Sequence, residues 1–484
     1  MQKRCVGVLM PVSMLPGKYS EGDFGEGAYR FVDFLAAGGF SVWQVLPFCL
    51  PDECHSPYKS YSSFSLNPNF IDLDTLEKKG LLTKEECASA KEKISYTCEF
   101  SRLDKERLPL LFRAAARVTD RAPIDAFLAA HPDTAKFCRF MALRASNGDR
   151  HHTLWENGRA DEEVLHAWEF LSYEAYSEWL SLKAYANAHG VRIVGDLPIY
   201  VAEDSADVFF SPENFLLDGK GHPTEVAGVP PDYFSADGQL WGNPLYNYKK
   251  MKEDGFAFWR RRIAFMSEMF DGVRIDHFRG IEAYFAVPAG ATTAREGVWR
   301  KGPGMALVRA LREAAGDCLL IAEDLGEITP AVKKLLAASG LPGMRVLQFA
   351  FFGGDSPHLP HNYEHNCVAY TGTHDNNTLL GYLFDLDPKT RRYVFDYVGY
   401  PGEEIGDAID PVFRTMYASH AGILILPIQD LLRFGRDTRL NTPGTSEDNW
   451  AFRVTKEQLA SIDTSAFQKL AALYGRLPEN DGKL

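Results

Sequence analysis

The chain has 484 residues, 45% of them hydrophobic and 24% charged, an ordinary composition for a globular protein with room for a large core. Its 52 basic residues against 65 acidic ones leave a formal charge of −13, which argues against nucleic acid or an anionic membrane as partner and favours a neutral substrate. No apolar run reaches the ~18 residues of a membrane span, and the eight cysteines form no C-x-x-C pair. The closest two, Cys49 and Cys54, have no histidine pair behind them at zinc spacing. Reduced thiols in a cytoplasmic protein are the expectation.

The opening MQKRCVGVLMPVSMLPG resembles a secretion signal, with a short apolar run after basic residues. Pro11 breaks that run and patterned sequence continues at once, so 5–10 reads as a first strand. A helix-like segment, GAYRFVDFLAAGG (27–39), closes at a glycine pair and leads to a second run, SVWQVLPF (41–48). Residues 49–190 are rich in helical pattern, as in TKEECASAKEKI (83–94) and EAYSEWLSLKAYANAHG (174–190). That stretch is too long for a loop and reads as an inserted, mostly helical subdomain between strands two and three. The third run is VRIVGDLPIYV (191–201). Residues 202–271 follow; around 228–248 they are dominated by proline, glycine and aromatics, which predicts a structured loop insertion.

GVRIDHF (272–278) is the fourth run, CLLIAEDLG (318–326) the fifth, MRVLQFAF (344–351) the sixth, CVAYTG (367–372) the seventh and GILILPIQD (422–430) the eighth. Helix-like MALVRALREAAGD (305–317) and PAVKKLLAASG (330–340) lie between them. Short, compact, β-branched runs alternating with helices predict buried parallel strands. Eight of them favour a (β/α)8 TIM barrel, one catalytic domain over 1–484. An open doubly wound sheet is the alternative, although PVSMLPG after the first strand is no dinucleotide fingerprint.

In such a barrel chemistry sits at the carboxyl ends of the strands. Four runs deliver an acid there: Asp196, Asp276, Glu323 (followed by Asp324) and Asp375. A single strand-end acid commonly caps the next helix. Four on one face repel each other, and that cost implies work. Paired carboxylates suit glycosidic-bond chemistry, in which one attacks the anomeric carbon and a protonated one serves the leaving oxygen. Glu323 suits the proton donor and Asp276 the nucleophile. Arg274, two residues earlier and on the same strand face, would keep Asp276 ionised. Metal binding is the rival use of clustered acids, but no D-x-D-x-D-G loop is present, and neither a metal site nor a cofactor is expected in the protein.

DGVRIDHFRG (271–280), IAEDLG (321–326) and GTHDNNT (372–378), in this order, resemble the conserved regions of the α-amylase superfamily. Further blocks make the likeness to the 4-α-glucanotransferases (amylomaltase, or disproportionating enzyme) closer: SPYKSYSSFSLNPNFIDL (56–73), GDLPIYVAEDSADVF (195–209), GVPPDYFSADGQLWGNPLY (228–246), LPGMRVLQFAF (341–351) and RLNTPGT with NWAFR (439–453). The resemblance implies Asp276 as nucleophile, Glu323 as general acid/base and Asp375 as the third carboxylate. It also implies Arg274 and His374 as flanking substrate or orientation residues, with Asp196 in the first conserved region. Ile199, Tyr200 and Val201 stand where amylases carry an Asn-His pair, and Gly280 stands where they commonly have histidine. Those departures point away from an ordinary amylase and its calcium ligands.

The implied reaction is transfer of an α-1,4-glucan segment to the 4-hydroxyl of an acceptor glucose or maltooligosaccharide, through a covalent glycosyl-enzyme. A hydrolase, or a non-catalytic glucan-binding protein that has lost one of the three acids, are the alternatives. Aromatic platforms would hold acceptor sugar; Tyr58, Tyr61, Phe64, Tyr233, Phe234, Trp241 and Tyr246 sit in Pro/Gly-rich sequence, against a plainer reading as core or loop anchors. Tyr58 and Trp241 are the first candidates for substrate contact. His277 stands between substrate contact and a buried structural role, and Asp196 between holding Arg274 and touching substrate. Asp324 is expected to bind backbone or a neighbouring cation. Oligomeric state is not legible.

Overall fold

Twelve strands run in chain order: β1 (Cys5–Leu9), β2 (Val42–Gln44), β3 (Arg192–Leu197), β4 (Glu225–Val229), β5 (Gln239–Pro244), β6 (Gly272–Ile275), β7 (Ala283–Pro288), β8 (Val298–Lys301), β9 (Leu319–Ala322), β10 (Gly343–Val346), β11 (Cys367–Tyr370) and β12 (Ile423–Pro427). These and all that follows come from a computed structural model describing residues 4–52, 55–231, 236–445 and 447–478. Cys54, Tyr233 and Phe234 lie outside the described residues.

Eight strands close a parallel barrel in the order β1-β12-β11-β10-β9-β6-β3-β2. Each corresponds to one of the eight apolar runs, so the closed barrel holds and the open sheet is excluded. The runs are mostly apolar because a barrel strand is buried on both faces, by the barrel interior and by the outer helices; Gln44, Asp196, Arg274 and Arg345 are the polar exceptions near their carboxyl ends. Val6, Val8, Ile193, Val273, Ile275, Ala322, Val368 and Leu424 are almost wholly inaccessible. Closure comes from β1 on β12, with Cys5 beside Ile423 and Leu9 beside Pro427. Outer helices include Glu26–Ala37, Met305–Ala315 and Pro330–Ser339. Gly340, at φ +68°, terminates the last of these in the left-handed cap that glycine alone adopts without strain.

Between β2 and β3 the chain forms a series of helices ending in the 27-residue Glu162–Ala188. Asp161 caps its start, accepting from the backbone N–H groups of Glu163 and Val164. Trp179 anchors this helix on the barrel: it is fully buried, and its indole N–H donates to the Met269 carbonyl at 2.9 Å. The helical pattern of 83–94 yields a shorter helix, Lys84–Ser89, closed at its start by a Thr83/Glu86 capping box.

The stretch 202–271 contains more regular structure than its composition suggests. It holds β4, β5 and the helix Ala257–Met269. β4 and β5 join β7 and β8 in a separate antiparallel sheet ordered β5-β4-β7-β8. Gly238, at φ +68°, closes the turn before β5, and Gly242, at φ +78°, lies inside β5 where its register with β4 shifts. The partner strands lie on the far side of β6 in sequence, which hides the pairing from a local reading. No described helix is long and apolar enough to cross a membrane.

Candidate active site

β3, β6 and β9 are neighbours in the barrel, and their register places Asp196 beside Arg274 and Ile275 beside Ala322. The residues that follow, Asp276 and Glu323, continue the ladder: Asp276 N–H donates to the Leu197 carbonyl at 3.0 Å and Glu323 N–H to the Ile275 carbonyl at 3.1 Å. Three acids from three adjacent strands therefore meet at one edge of the barrel mouth.

Arg274 sits among them, with only 5% of its side chain exposed. Its Nη1 donates to both Asp196 oxygens at 2.8 Å, and its Nη2 lies 3.0 Å from Asp276 Oδ1 and 4.0 Å from Glu323 Oε2. These three acids keep the guanidinium charged, well above its ordinary range and against the cost of burial. Because one nitrogen faces both, the Asp276 and Glu323 oxygens lie within about 7 Å of each other. That bound admits the ~5 Å spacing of retaining glycosidases and only the short end, from ~6.5 Å, of the inverting range.

Burial pushes the Glu323 carboxyl up to about 7 although Arg274 opposes it, and Asp276 rises to about 6 for the same reason with stronger opposition from Arg274. The two titrate as a pair. Asp276 is the member that ionises first, since it has the closer arginine and 27% of its side chain open to solvent, against 10% for Glu323. Glu323 is clamped by backbone: His277 N–H donates to Oε2 and Leu325 N–H to Oε1, both at 2.7 Å. The His277 clamp depends on a left-handed turn at that residue, φ +47°. A non-glycine residue in that region carries strain, and here the strain aims a backbone donor at the acid/base candidate.

Asp375 arrives from the loop after β11. Burial would raise it, but His374, Asn441 and Arg274 outweigh burial and hold it down at about 2. His374 Nε2 lies 3.3 Å from Asp375 Oδ2, and the Asn441 amide donates to Oδ1 at 2.6 Å. His374, disfavoured as a cation by burial, is raised by Asp375. The Tyr58 hydroxyl donates to Asp196 Oδ2 at 2.6 Å and its ring stacks on His374 at 5.1 Å. The loop is tied at both ends by the buried Asp430, just beyond β12, which accepts from the Thr371 hydroxyl at 2.6 Å and from Leu379 N–H at 2.7 Å.

Of the residues singled out from sequence, Asp196, Arg274, Asp276, Glu323, Asp375, His374 and Tyr58 thus come together in one pocket. His277 turns its ring edge-on to Trp241, centroids 4.9 Å apart, and its Nε2 is buried without a protein partner. Burial lowers its pKa to about 3, so the ring is neutral near pH 7. Trp241 lies on a strand, β5, rather than in a loop, and also packs near Tyr200. Tyr246 and Phe64 are core residues, 1% and 5% exposed, so neither offers a sugar platform. Asp324 accepts from Met344 N–H at 2.6 Å and pairs with Arg345 at 3.1 Å, the backbone-and-cation role expected of it. Arg279 stacks on Trp299, 3.8 Å from the ring centroid, outside the pocket.

Asn441, Arg439, Trp450 and Asp430 were missed. Arg439 donates to the Asp375 carbonyl, and Trp450 closes an aromatic cluster with Tyr58 and His374 at 6.0 and 5.9 Å. The signal for the first three lay in RLNTPGT and NWAFR, blocks noted for their likeness but given no role.

A profile of the 4-alpha-glucanotransferase family matches residues 10–459. The 4-alpha-glucanotransferase of Streptococcus pneumoniae (serotype 4) is 40% identical over 507 aligned positions, covering 99% of both chains. That of Synechocystis is 40% identical over 505, covering 98% of this chain and 99% of the other. The solved amylomaltase from Streptococcus agalactiae, in complex with acarbose, superposes with a TM-score of 0.93 at 36% identity, covering 98% of this chain and 100% of that one.

Proposed function

The chain belongs to the 4-alpha-glucanotransferase family, whose reaction is a retaining double displacement, and we propose that its pocket carboxylates divide that reaction among them. Asp276 attacks the anomeric carbon of an α-1,4-glucan donor while Glu323 gives its proton to the departing glycosidic oxygen. The bond between C1 and that oxygen breaks as the C1–Oδ bond to Asp276 forms. Glu323, now a carboxylate, takes the proton from an acceptor 4-hydroxyl, whose oxygen displaces Asp276 from C1. Asp375, ionised at any working pH, stabilises the developing positive charge and holds sugar hydroxyls.

The observation that carries these roles is the unequal reach of Arg274, 3.0 Å to Asp276 and 4.0 Å to Glu323. One cation keeps the nucleophile charged and leaves its neighbour a proton to give. Tyr58 and His374 offer stacked rings beside Asp375, and Trp241 and His277 form a second ring pair. These surfaces are the proposed sugar platforms, and an acceptor held on them competes with bulk water at ~55 M through its higher effective concentration. The donor and acceptor are neutral maltooligosaccharides, in keeping with acarbose in the S. agalactiae relative and with a charge of −13. A cytoplasmic setting fits the seven described cysteines, all unpaired.

The test is incubation with maltotriose. A ladder of longer maltooligosaccharides with little gain in reducing ends is expected; glucose and maltose alone would make the protein a hydrolase. Glu323→Gln should abolish the ladder yet still bind maltooligosaccharide, and unchanged turnover would remove the acid/base assignment.

A further inference from the structure

Away from the carboxylate pocket, three histidines and two acids converge from three segments of chain. His151 and His152 lie in the turn after the helix Pro132–Ser146, Glu203 and Asp204 in the loop that follows β3, and His222 in the turn before β4. The His151 and His152 rings lie 4.7 Å apart and inclined by 26°, and the His222 ring lies 6.3 Å from that of His151, again at 26°. His152 Nδ1 is 3.0 Å from Asp204 Oδ1, His151 Nε2 is 3.8 Å from Glu203 Oε1, and His222 Nδ1 is 3.4 Å from that same oxygen. One donor atom each from His151, His152 and Asp204 lies within 4.8 Å of the other two.

We propose that His151, His152 and Asp204 bind one divalent transition-metal ion of the Zn2+ or Co2+ kind, with Glu203 as fourth ligand. Donor atoms bound at ~2.0–2.1 Å around a tetrahedral ion stand about 3.3 Å apart. Two ligand-to-ligand spacings, 3.0 Å for His152 with Asp204 and 3.8 Å for His151 with Glu203, bracket that edge, and the donors of His151, His152 and Asp204 span no more than 4.8 Å, so side-chain rotations would have to close the rest of the set. Two imidazoles with two carboxylates suit Zn2+ or Co2+ rather than Ca2+ or Mg2+, which take oxygen ligands.

The surroundings orient the ligands as metal sites require. Arg144 pairs with the other Asp204 oxygen, Oδ2, fixing the carboxylate while Oδ1 faces the histidines. His222 shares Glu203 Oε1 with His151, so Glu203 turns its free Oε2 to the ion or gives up that contact on binding. The His151 Nδ1 is taken by the Thr153 hydroxyl at 2.9 Å, which leaves Nε2 as its ligand atom. Binding replaces the contact between His152 Nδ1 and Asp204 with two metal bonds and releases the proton on that nitrogen. The ion would staple the 49–190 insertion, at the turn before its longest helix, to the loop after β3. That loop also holds β5, because the Val201 carbonyl accepts from the Asn243 amide at 2.8 Å.

The test uses tag-free, full-length protein stripped with a chelator. Zn2+ titrated calorimetrically near neutral pH should bind one ion per chain, and Co2+ should give the visible absorption of a four-coordinate site. The thermal midpoint should rise on adding Zn2+. His151→Ala should weaken binding about 100-fold and remove the thermal shift, Glu203→Gln should weaken it less, and His189→Ala, at an exposed histidine elsewhere, should change neither. All three variants should make the maltotriose ladder, showing that they fold. No stoichiometric binding by the wild type, or equal binding by His151→Ala, would overturn the proposal.

Discussion

Arg274 is the residue whose loss should most change how the pocket titrates. At an effective dielectric near 20, a unit charge 3.0 Å from Asp276 favours its ionised form by about 5.5 kcal/mol. The same charge 4.0 Å from Glu323 is worth about 4 kcal/mol. The difference, about 1.4 kcal/mol, is about one pKa unit, and it falls in the direction of a nucleophile near 6 and an acid near 7. Removing the cation raises both carboxyls but raises Asp276 more, so the acid limb of the rate profile should climb toward the basic limb. Arg274→Met alone would strand Asp196 as a buried charge, at a cost of about 3–5 kcal/mol. The comparison is therefore Arg274→Met with Asp196→Asn, against Asp196→Asn by itself, which isolates the arginine. The assay is kcat/KM for glucose release from maltotriose across about pH 4 to pH 11, because losses of about 5.5 and 4 kcal/mol lift the two limbs by about four and three units. The acid limb should move up by about one unit more than the basic limb, narrowing the bell, with a lower peak. Activity lost equally at every pH, with both limbs in place, would refute the electrostatic division of labour.

Asp430→Ala should lower the thermal midpoint and kcat together, because it strands the Thr371 hydroxyl and Leu379 N–H at about 1–3 kcal/mol each. Asp430→Asn should keep most of both, and full stability in the alanine variant would show that this carboxylate does not tether the Asp375 loop. Burial pushes Glu21, 6% exposed, up to about 7. A raised carboxyl stabilises the fold below the ordinary carboxylate range, and that contribution is lost as pH climbs through 7. Urea unfolding should therefore show wild type losing about 3 kcal/mol more than Glu21→Gln between about pH 4 and pH 8; parallel losses would dismiss the effect. Trp241→Ala should raise KM for maltotriose and shift products from transfer toward hydrolysis, read as reducing ends released per chain elongated. An unchanged ratio would remove Trp241 from the acceptor platform.

The barrel was legible because burial on both faces leaves the strands short runs that are mostly apolar, from CVGVL to ILILP, with polar residues gathered toward their carboxyl ends. The acids were legible because they end those runs. The sheet of β4, β5, β7 and β8 was not, since its strands are short, glycine interrupts them, and their partners lie across β6. The supports of Asp375 were hidden for a different reason. Asn441, Arg439 and Asp430 reach the loop only through the path the chain takes after β12, which no local pattern encodes. His277 shows the limit most plainly: alternation along a strand points its side chain away from Asp276, and the left-handed turn at φ +47° removes the alternation altogether.

The pairing of β1 with β12 also sets a timetable for biosynthesis. The two partners are roughly 420 residues apart in the chain. At ~5–20 residues per second a ribosome needs on the order of 20–80 seconds to make the second after the first. Throughout that interval β1 can dock only on β2, through Gly7–Leu9 against Val42–Gln44, and its other edge, Cys5 to Leu9, has no strand to meet. An apolar strand edge left open for so long invites pairing with another nascent chain. The last strand of the barrel is thus also its safeguard, and a chain truncated before residue 423 would present that edge permanently.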